Sequence, residues 1–359
     1  VVGEVSDRLR EAIQLRYPRL FVSGVDYNDA QALLARIARF EDWFPEWEAM
    51  AATHEALGEE ALGRGNTVTA GAAFLRAAVY YHTAQAVYFT DAREKRRVQE
   101  RQGAAYRKAM PYLRPPAEQL EIPFDGIRFL GNLRVPDGPR PAPCVLLNPG
   151  ADSTKEEFHT LENEFLQRGL ATFSYDGPGQ GLTWAAMKLR PDFEKPVGAV
   201  LDVLARRSDL DASRFGIWGR SFGGYAAPRA AALEKRLRAC ISIGGFYELR
   251  AIWDRLPPGV KDTLQFGFGV ASHAEARTCA EAYSLAGVLK HMTCPLLIVH
   301  SGRDTVCPVE ESERMRHEAA GVATLAVFPE GNHVCDNIPY KVRPLMADWM
   351  ARQLRARAE

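Results

Sequence analysis

Net charge is the first thing missing. Lys and Arg number 45, Asp and Glu also 45, and the formal charge is +0. A balanced chain offers no electrostatic footprint for nucleic acid or for an anionic membrane surface. No apolar run reaches the roughly 20 residues of a membrane-spanning helix. Val1 to Asp7 lack the basic and apolar blocks of a signal peptide. The six cysteines (Cys144, Cys240, Cys279, Cys294, Cys307, Cys335) show no C-x-x-C spacing. No His/Cys/Asp/Glu cluster has metal-ligand spacing either. These absences set the expectation of a cytoplasmic protein with reduced thiols, no metal and no cofactor. One pair stands apart: Cys307 and Cys335 lie on two loops that the site described below would join, so they could approach each other.

What is present is ordinary for a globular chain, 47% hydrophobic and 25% charged over 359 residues. That length allows a large core or two domains. Residues 1–115 read as helical throughout, with apolar positions at helical spacing over 29–40 and 67–82. Trp43, Phe44 and Trp47 form an aromatic cluster, and Tyr80 and Tyr81 follow. Arg93 to Arg97 is a basic run, read as a solvated helix face. Pro111 to Pro116 marks a boundary. Residues 116–359 alternate strands with helices, which predicts an α/β domain built on a mostly parallel sheet. Eight strands are expected: 119–124, 127–135, 144–147, 170–175, 215–218, 239–243, 296–300 and 325–328. Residues 246–290 interrupt the rhythm and read as an excursion over the sheet.

Gly219-Arg220-Ser221-Phe222-Gly223 lies between the apolar strand 214–218 and a small-residue helix start. This G-x-S-x-G context predicts a turn too tight for side chains at its glycines, with the Ser221 hydroxyl raised at the apex. A serine hydroxyl is a weak nucleophile and needs a base, which in turn needs an orienting carboxylate. Asp304 follows the strand 295–300 and fits the acid. Its bland alternative is a helix N-cap or an Asx turn before Pro308. His333 follows the last strand and fits the base. His300, at a strand end, and His317, on a polar helix, are poorer candidates. The order Ser221, Asp304, His333 is that of α/β-hydrolases. The oxyanion hole needs two backbone N–H groups. One is expected from Phe222. The other falls in the loop 148–155, at Ala151 with Gly150 next. Asp176 to Gly181 lacks the Lys-Ser/Thr of a phosphate loop and the spacing of a dinucleotide site. It reads as a tight turn flanking the pocket.

With these residues placed, the chain resembles the α/β-hydrolase superfamily over roughly residues 120–358. A narrower likeness spans both parts. Asn148 to Glu157, Gly65 to Gly71 with Phe74 to Ala78, and Asp176 to Gly181 are similar to motifs of a subgroup with an N-terminal helical domain. That subgroup includes pseudooxynicotine hydrolases, fungal polyketide-shortening hydrolases of the yellowish-green type, and FrsA-like esterases. The resemblance implies an α/β-hydrolase domain over 116–359, with 1–115 as a helical cap or substrate lid. It implies a small-molecule substrate, an aromatic or polyketide ketone, cleaved at a carbon–carbon bond beside the ketone. It further implies a homodimer and an acidic substrate-recognition residue after the sixth strand. Glu248 and Asp254 both lie there, beside Tyr247 and Trp253, and the choice between them stays open. His159 is a plausible substrate-side residue. A carboxylesterase or thioesterase on the same triad is the alternative activity. A catalytically inert fold used as an interaction partner is a third reading, against which the three triad residues argue.

Overall fold

The structure, a computed structural model, describes residues 7–319 and 321–355. Val1 to Ser6, all but the last residue of the N-terminal stretch that lacks signal-peptide blocks, lie outside the described residues. The chain divides into two compact units. One comprises Val1–Glu118 and Glu156–Thr160; the other comprises Gln119–Lys155 and Leu161–Glu359.

The first unit carries helices α1 (Asp7–Ser23), α2 (Tyr27–Arg36), α3 (Trp43–Gly63), α4 (Thr67–Gln85) and α5 (Ala92–Ala109). Two of them start on side-chain caps. Asp26 accepts from the N–H groups of Asn28 and Asp29, and Asp91 from those of Arg93 and Glu94. Such caps satisfy donors that a helix leaves free at its first turn. Trp43, Phe44, Trp47, Tyr80 and Tyr81 are the interior of this unit. Three of their polar tips find partners there: Trp43 Nε1 donates to Thr83 O, Tyr80 to Asp29 and Tyr81 to Glu55, whereas Trp47 Nε1 is buried without a partner among the described residues.

The basic run is not wholly solvated. Position 95 lies on the buried side of α5 with Val98, Gln99 and Gln102, so Lys95 is only 4% exposed. Its ammonium donates to Gln85 O and Gln85 Oε1, at 2.5 and 2.8 Å. The segment 156–160 also departs from the boundary read in the sequence. Glu157 receives Arg19 and His82, and Glu156 receives Gln102, so these acids are partnered by the helices. His159, within that segment, opens α6 (His159–Leu166).

The second unit holds one eight-stranded sheet in the order β1-β2-β4-β3-β5-β6-β7-β8. The strands are β1 (Ala117–Phe124), β2 (Ile127–Arg134), β3 (Ala142–Asn148), β4 (Ala171–Tyr175), β5 (Leu210–Arg220), β6 (Leu237–Ile243), β7 (Leu296–Ser301) and β8 (Ala323–Phe328). Asp125 and Gly126, both at positive φ, make the two-residue turn from β1 to β2. β2 runs antiparallel to β4, and every later pairing is parallel. β3, β4 and β7 are buried almost throughout because both sheet faces are covered. The remaining helices are α7 (Glu194–Leu204), α8 (Phe222–Leu233), α9 (Leu249–Ile252), α10 (Pro258–Phe268), α11 (His273–Cys279), α12 (Val309–Glu318) and α13 (Pro339–Gln353). The excursion 246–290 forms α9, α10 and α11, with Trp253, Leu264 and Phe268 buried.

Parallel pairing puts the carboxyl ends of β3 to β8 on one edge of the sheet. The register sets Asn148 beside Gly219, Arg220 beside Ile243, and Ser301 beside Phe328. Each loop that leaves this edge can therefore reach a shared point, the usual place for function in such sheets.

Candidate active site

Ser221 sits between β5 and α8 with φ 54° and ψ −117°. A non-glycine residue held there costs about 1–3 kcal/mol, which the surrounding structure must supply. Part of the hold is the Ser221 N–H bond to Ile243 O, at 2.9 Å. The flanking glycines are a steric necessity. A Cβ at Gly219 would lie 1.9 Å from Gly223 O, and one at Gly223 would lie 2.2 Å from Asn148 O. Backbone fills the space on both sides of the serine.

His333 reaches this turn from the loop after β8. Its Nε2 lies 3.0 Å from Ser221 Oγ. Its Nδ1 lies 2.9 and 2.8 Å from Asp304 Oδ1 and Oδ2. The carboxylate accepts the Nδ1–H, which leaves Nε2 as the acceptor for the Ser221 hydroxyl. Asp304 is 1% exposed at its side chain. Its Oδ1 also accepts from the N–H groups of Val306 and Cys307, at 2.8 and 2.9 Å. Burial pushes its pKa up, but the His333 interaction and these donors outweigh that and hold it below the ordinary carboxyl value of 3.8. The Asx turn weighed as the bland alternative is thus present as well, made by the same oxygen that holds the imidazole.

Two supports were not legible in the sequence. Arg220 donates from Nη2 to Asp336 Oδ2 at 2.8 Å, which ties the serine turn to the loop bearing His333. His300 lies behind the acid loop. Its Nε2–H donates to Cys307 O at 3.0 Å and its Nδ1 accepts from Ser312 Oγ at 2.7 Å. Nδ1 can accept only in the neutral ring, and burial lowers the His300 pKa from 6.5. The unfolded chain binds that proton at higher pH than the folded one. His300 therefore adds stability above pH 6.5 and loses it as pH falls toward the folded-state value. His300→Gln should flatten the fall in melting temperature between about pH 7 and 5. An unchanged slope in thermal melts would contradict this role.

The expected oxyanion donors are near the serine. Phe222 is the first residue of α8, where an N–H has no acceptor within the helix. A Cβ built on Gly150 would lie 3.6 Å from Ser221 Cβ, so the loop after β3 runs beside the nucleophile. The substrate-side candidates have other partners. Glu248 pairs with Arg314 and accepts from Ser284 Oγ. Asp254 is 70% exposed at its side chain and pairs with Arg277. The Tyr247 hydroxyl bonds Glu318, and Trp253 is buried. None of these partners is Ser221, Asp304 or His333. Cys307 and Cys335 are both free thiols, and Cys335 Sγ contacts Ser301 Oγ at 3.0 Å. Among the described residues, no group of three or more His, Cys, Asp or Glu is placed to hold a metal ion. Among them, too, no helix is long and apolar enough to cross a membrane.

The geometry has known counterparts. A family model described as "Esterase FrsA-like" matches residues 18–355. The chain is similar to the 2,6-dihydropseudooxynicotine hydrolase of Paenarthrobacter nicotinovorans, with 36% identity over 337 residues, 94% of this chain and 91% of that protein. It is similar to the 20-hydroxy-prefusarin hydrolase of Gibberella moniliformis, with 33% identity over 305 residues, 72% of this chain and 73% of that one. Among solved structures, that of the 2,6-dihydroxy-pseudo-oxynicotine hydrolase matches with a TM-score of 0.87 and 36% identity, over 94% of this chain and 95% of that chain.

Proposed function

This chain belongs to the FrsA-like esterase family of α/β-hydrolases, and on that premise we propose that it hydrolyses a carbon–carbon bond beside a ketone through a Ser221-His333-Asp304 triad. The observation that carries the triad is the continuous relay from Ser221 Oγ through both ring nitrogens of His333 to the buried Asp304 carboxylate. The bond class rests on the resemblance to carbon–carbon hydrolases. The named ketonic substrate of the 36% identical relative supports it.

Ser221 Oγ attacks the substrate carbonyl while His333 Nε2 takes its proton. Asp304 holds the tautomer and stabilises the imidazolium. The N–H groups of Phe222 and of Ala151 or Gly150 stabilise the tetrahedral oxyanion. Collapse breaks the bond to carbon, and its electron pair leaves on that carbon. Only a carbon that can spread the charge will leave, such as one beside a second carbonyl or in a hydroxyaryl ring. His333 returns its proton to that carbon. Water, deprotonated by His333, then attacks the acyl-serine and releases a carboxylic acid. An aromatic or polyketide ketone meets this requirement. The resemblance also carries a homodimer into the proposal. The six free cysteines support a reducing, cytoplasmic setting.

The family description favours one second reading, ester hydrolysis on the same triad, because the acylation half is identical. A panel pairing aryl 1,3-diketones with simple acyl esters separates the two. Carbon–carbon hydrolysis predicts that at least one diketone exceeds every ester in kcat/KM. Esters far ahead of all diketones would leave the esterase reading. A well-folded wild type that no fluorophosphonate labels would remove both.

A further inference from the structure

The turn Asp176 to Gly181 has no part in the relay, yet it grips the loop that follows β3. Gln180 is 1% exposed. Its Nε2 donates to Pro149 O at 2.8 Å and to Gly150 O at 3.1 Å. Its Oε1 accepts from Gly177 N–H at 3.1 Å. Two carbonyls on one side and an N–H on the other dictate this orientation of the amide, because the flipped amide would set oxygen against oxygen. The far end of the loop is held from the same turn. Asp176 accepts from Lys155 N–H at 2.8 Å and from Lys155 Nζ at 2.7 Å.

We propose that Gln180 is a positioning residue for the oxyanion hole, a step that rests on Ser221 being the nucleophile. The argument is peptide geometry. In a trans peptide the C=O and the next N–H point in opposite directions. The peptide bonds after Pro149 and Gly150 are both trans, since the cis bonds precede Pro115 and Pro141. Gln180 draws the two carbonyls toward itself, so the N–H groups of Gly150 and Ala151 turn the other way. Gly150 lies against Ser221. One side-chain amide thus helps set the planes of both peptides considered as the second oxyanion donor. Without it the Gly150 carbonyl keeps the longer bond from Ser153 N–H, at 3.3 Å, the two planes can tilt, and a misaimed donor makes a weaker bond. The relay itself does not involve Gln180, so the defect should be confined to stabilisation of the transition state.

The test uses a fluorophosphonate, whose phosphonyl oxygen develops charge in the same hole. For Gln180→Met, nearly isosteric but without a donor, the maximal labelling rate should fall about ten- to a hundredfold. The concentration for half-maximal rate should stay within about twofold of wild type, because ground-state binding does not use the donors. The pH midpoint of labelling should not move, because the triad is intact. Wild-type rates in a folded Gln180→Met variant would overturn the proposal, and so would a loss accompanied by a shifted midpoint. If thermal melting shows that Gln180→Met does not fold, Gln180→Glu decides. Its rate relative to wild type should fall as pH rises, since the carboxylate form cannot donate to the two carbonyls. A flat ratio would overturn the proposal. Absence of labelling in the wild type would instead sink the nucleophile assignment, and this one with it.

Discussion

Ser221→Ala is expected to lower kcat by about a millionfold, and His333→Ala by nearly as much. The double variant should be no worse than either single one. The reason is the 3.0 Å contact between His333 Nε2 and Ser221 Oγ. Removing the hydroxyl removes the atom that attacks, and removing the imidazole leaves that hydroxyl protonated. Each loss disables the same step, so the second has nothing left to take. Residual rate would come from the backbone donors and substrate binding alone. Single-turnover kinetics with the best substrate of the panel, together with fluorophosphonate stoichiometry, checks this. A Ser221→Ala variant that kept about a tenth of wild-type turnover would end the serine mechanism.

Asp304→Asn should cost about ten-thousandfold in kcat while leaving the fold and substrate affinity nearly unchanged. The amide has the carboxylate's shape, and its oxygen can still accept from Val306 and Cys307 N–H. Its NH2 then faces His333 Nδ1, where an acceptor is required. The ring responds by placing its proton on Nε2, and the Ser221 hydroxyl loses its base. In the native enzyme the carboxylate is held below 3.8, so it stays ionised across the neutral range. A depressed carboxyl adds stability above its unfolded-state pKa and withdraws it only as pH falls through the lower folded value. The variant should therefore lose activity at neutral pH but gain relative stability in strong acid. Melting curves that fall with acid as steeply as those of the wild type would contradict the second half.

The order of the candidate triad is readable because its signals are short. A strand, a G-x-S-x-G turn and a small-residue helix start are encoded within about a dozen neighbours, so the turn that bears Ser221 is evident locally, while its partners give the serine its role. Asp304 and His333 were chosen by position after strands, and the parallel register brings those strand ends to one edge. Spacing places Trp43 and Trp47 on one helix face, and the fold packs that face with Tyr80 in the interior of the helical unit. Lys95 reads as solvated in sequence, yet it is buried. A charge run says nothing of the one member whose helical phase turns it inward toward Gln85. The acids of segment 156–160 are claimed by Arg19, His82 and Gln102 from helices far away along the chain, which no local pattern signals. Gln180 looked like part of a turn, which it is. Its hold on Pro149 and Gly150, about thirty positions away, has no local signature.

The order of chemical parts along this chain, and the kind of turn that bears each, follow from the sequence alone, because caps, tight turns and hydrophobic periods act between near neighbours. The meeting of Ser221 with His333 across 112 positions was decided by the tertiary structure. So was the choice of which polar groups hold the serine, acid and oxyanion loops in place. Such contacts depend on strand order and register, which are fixed by burying the whole sheet at once and not by any stretch of it.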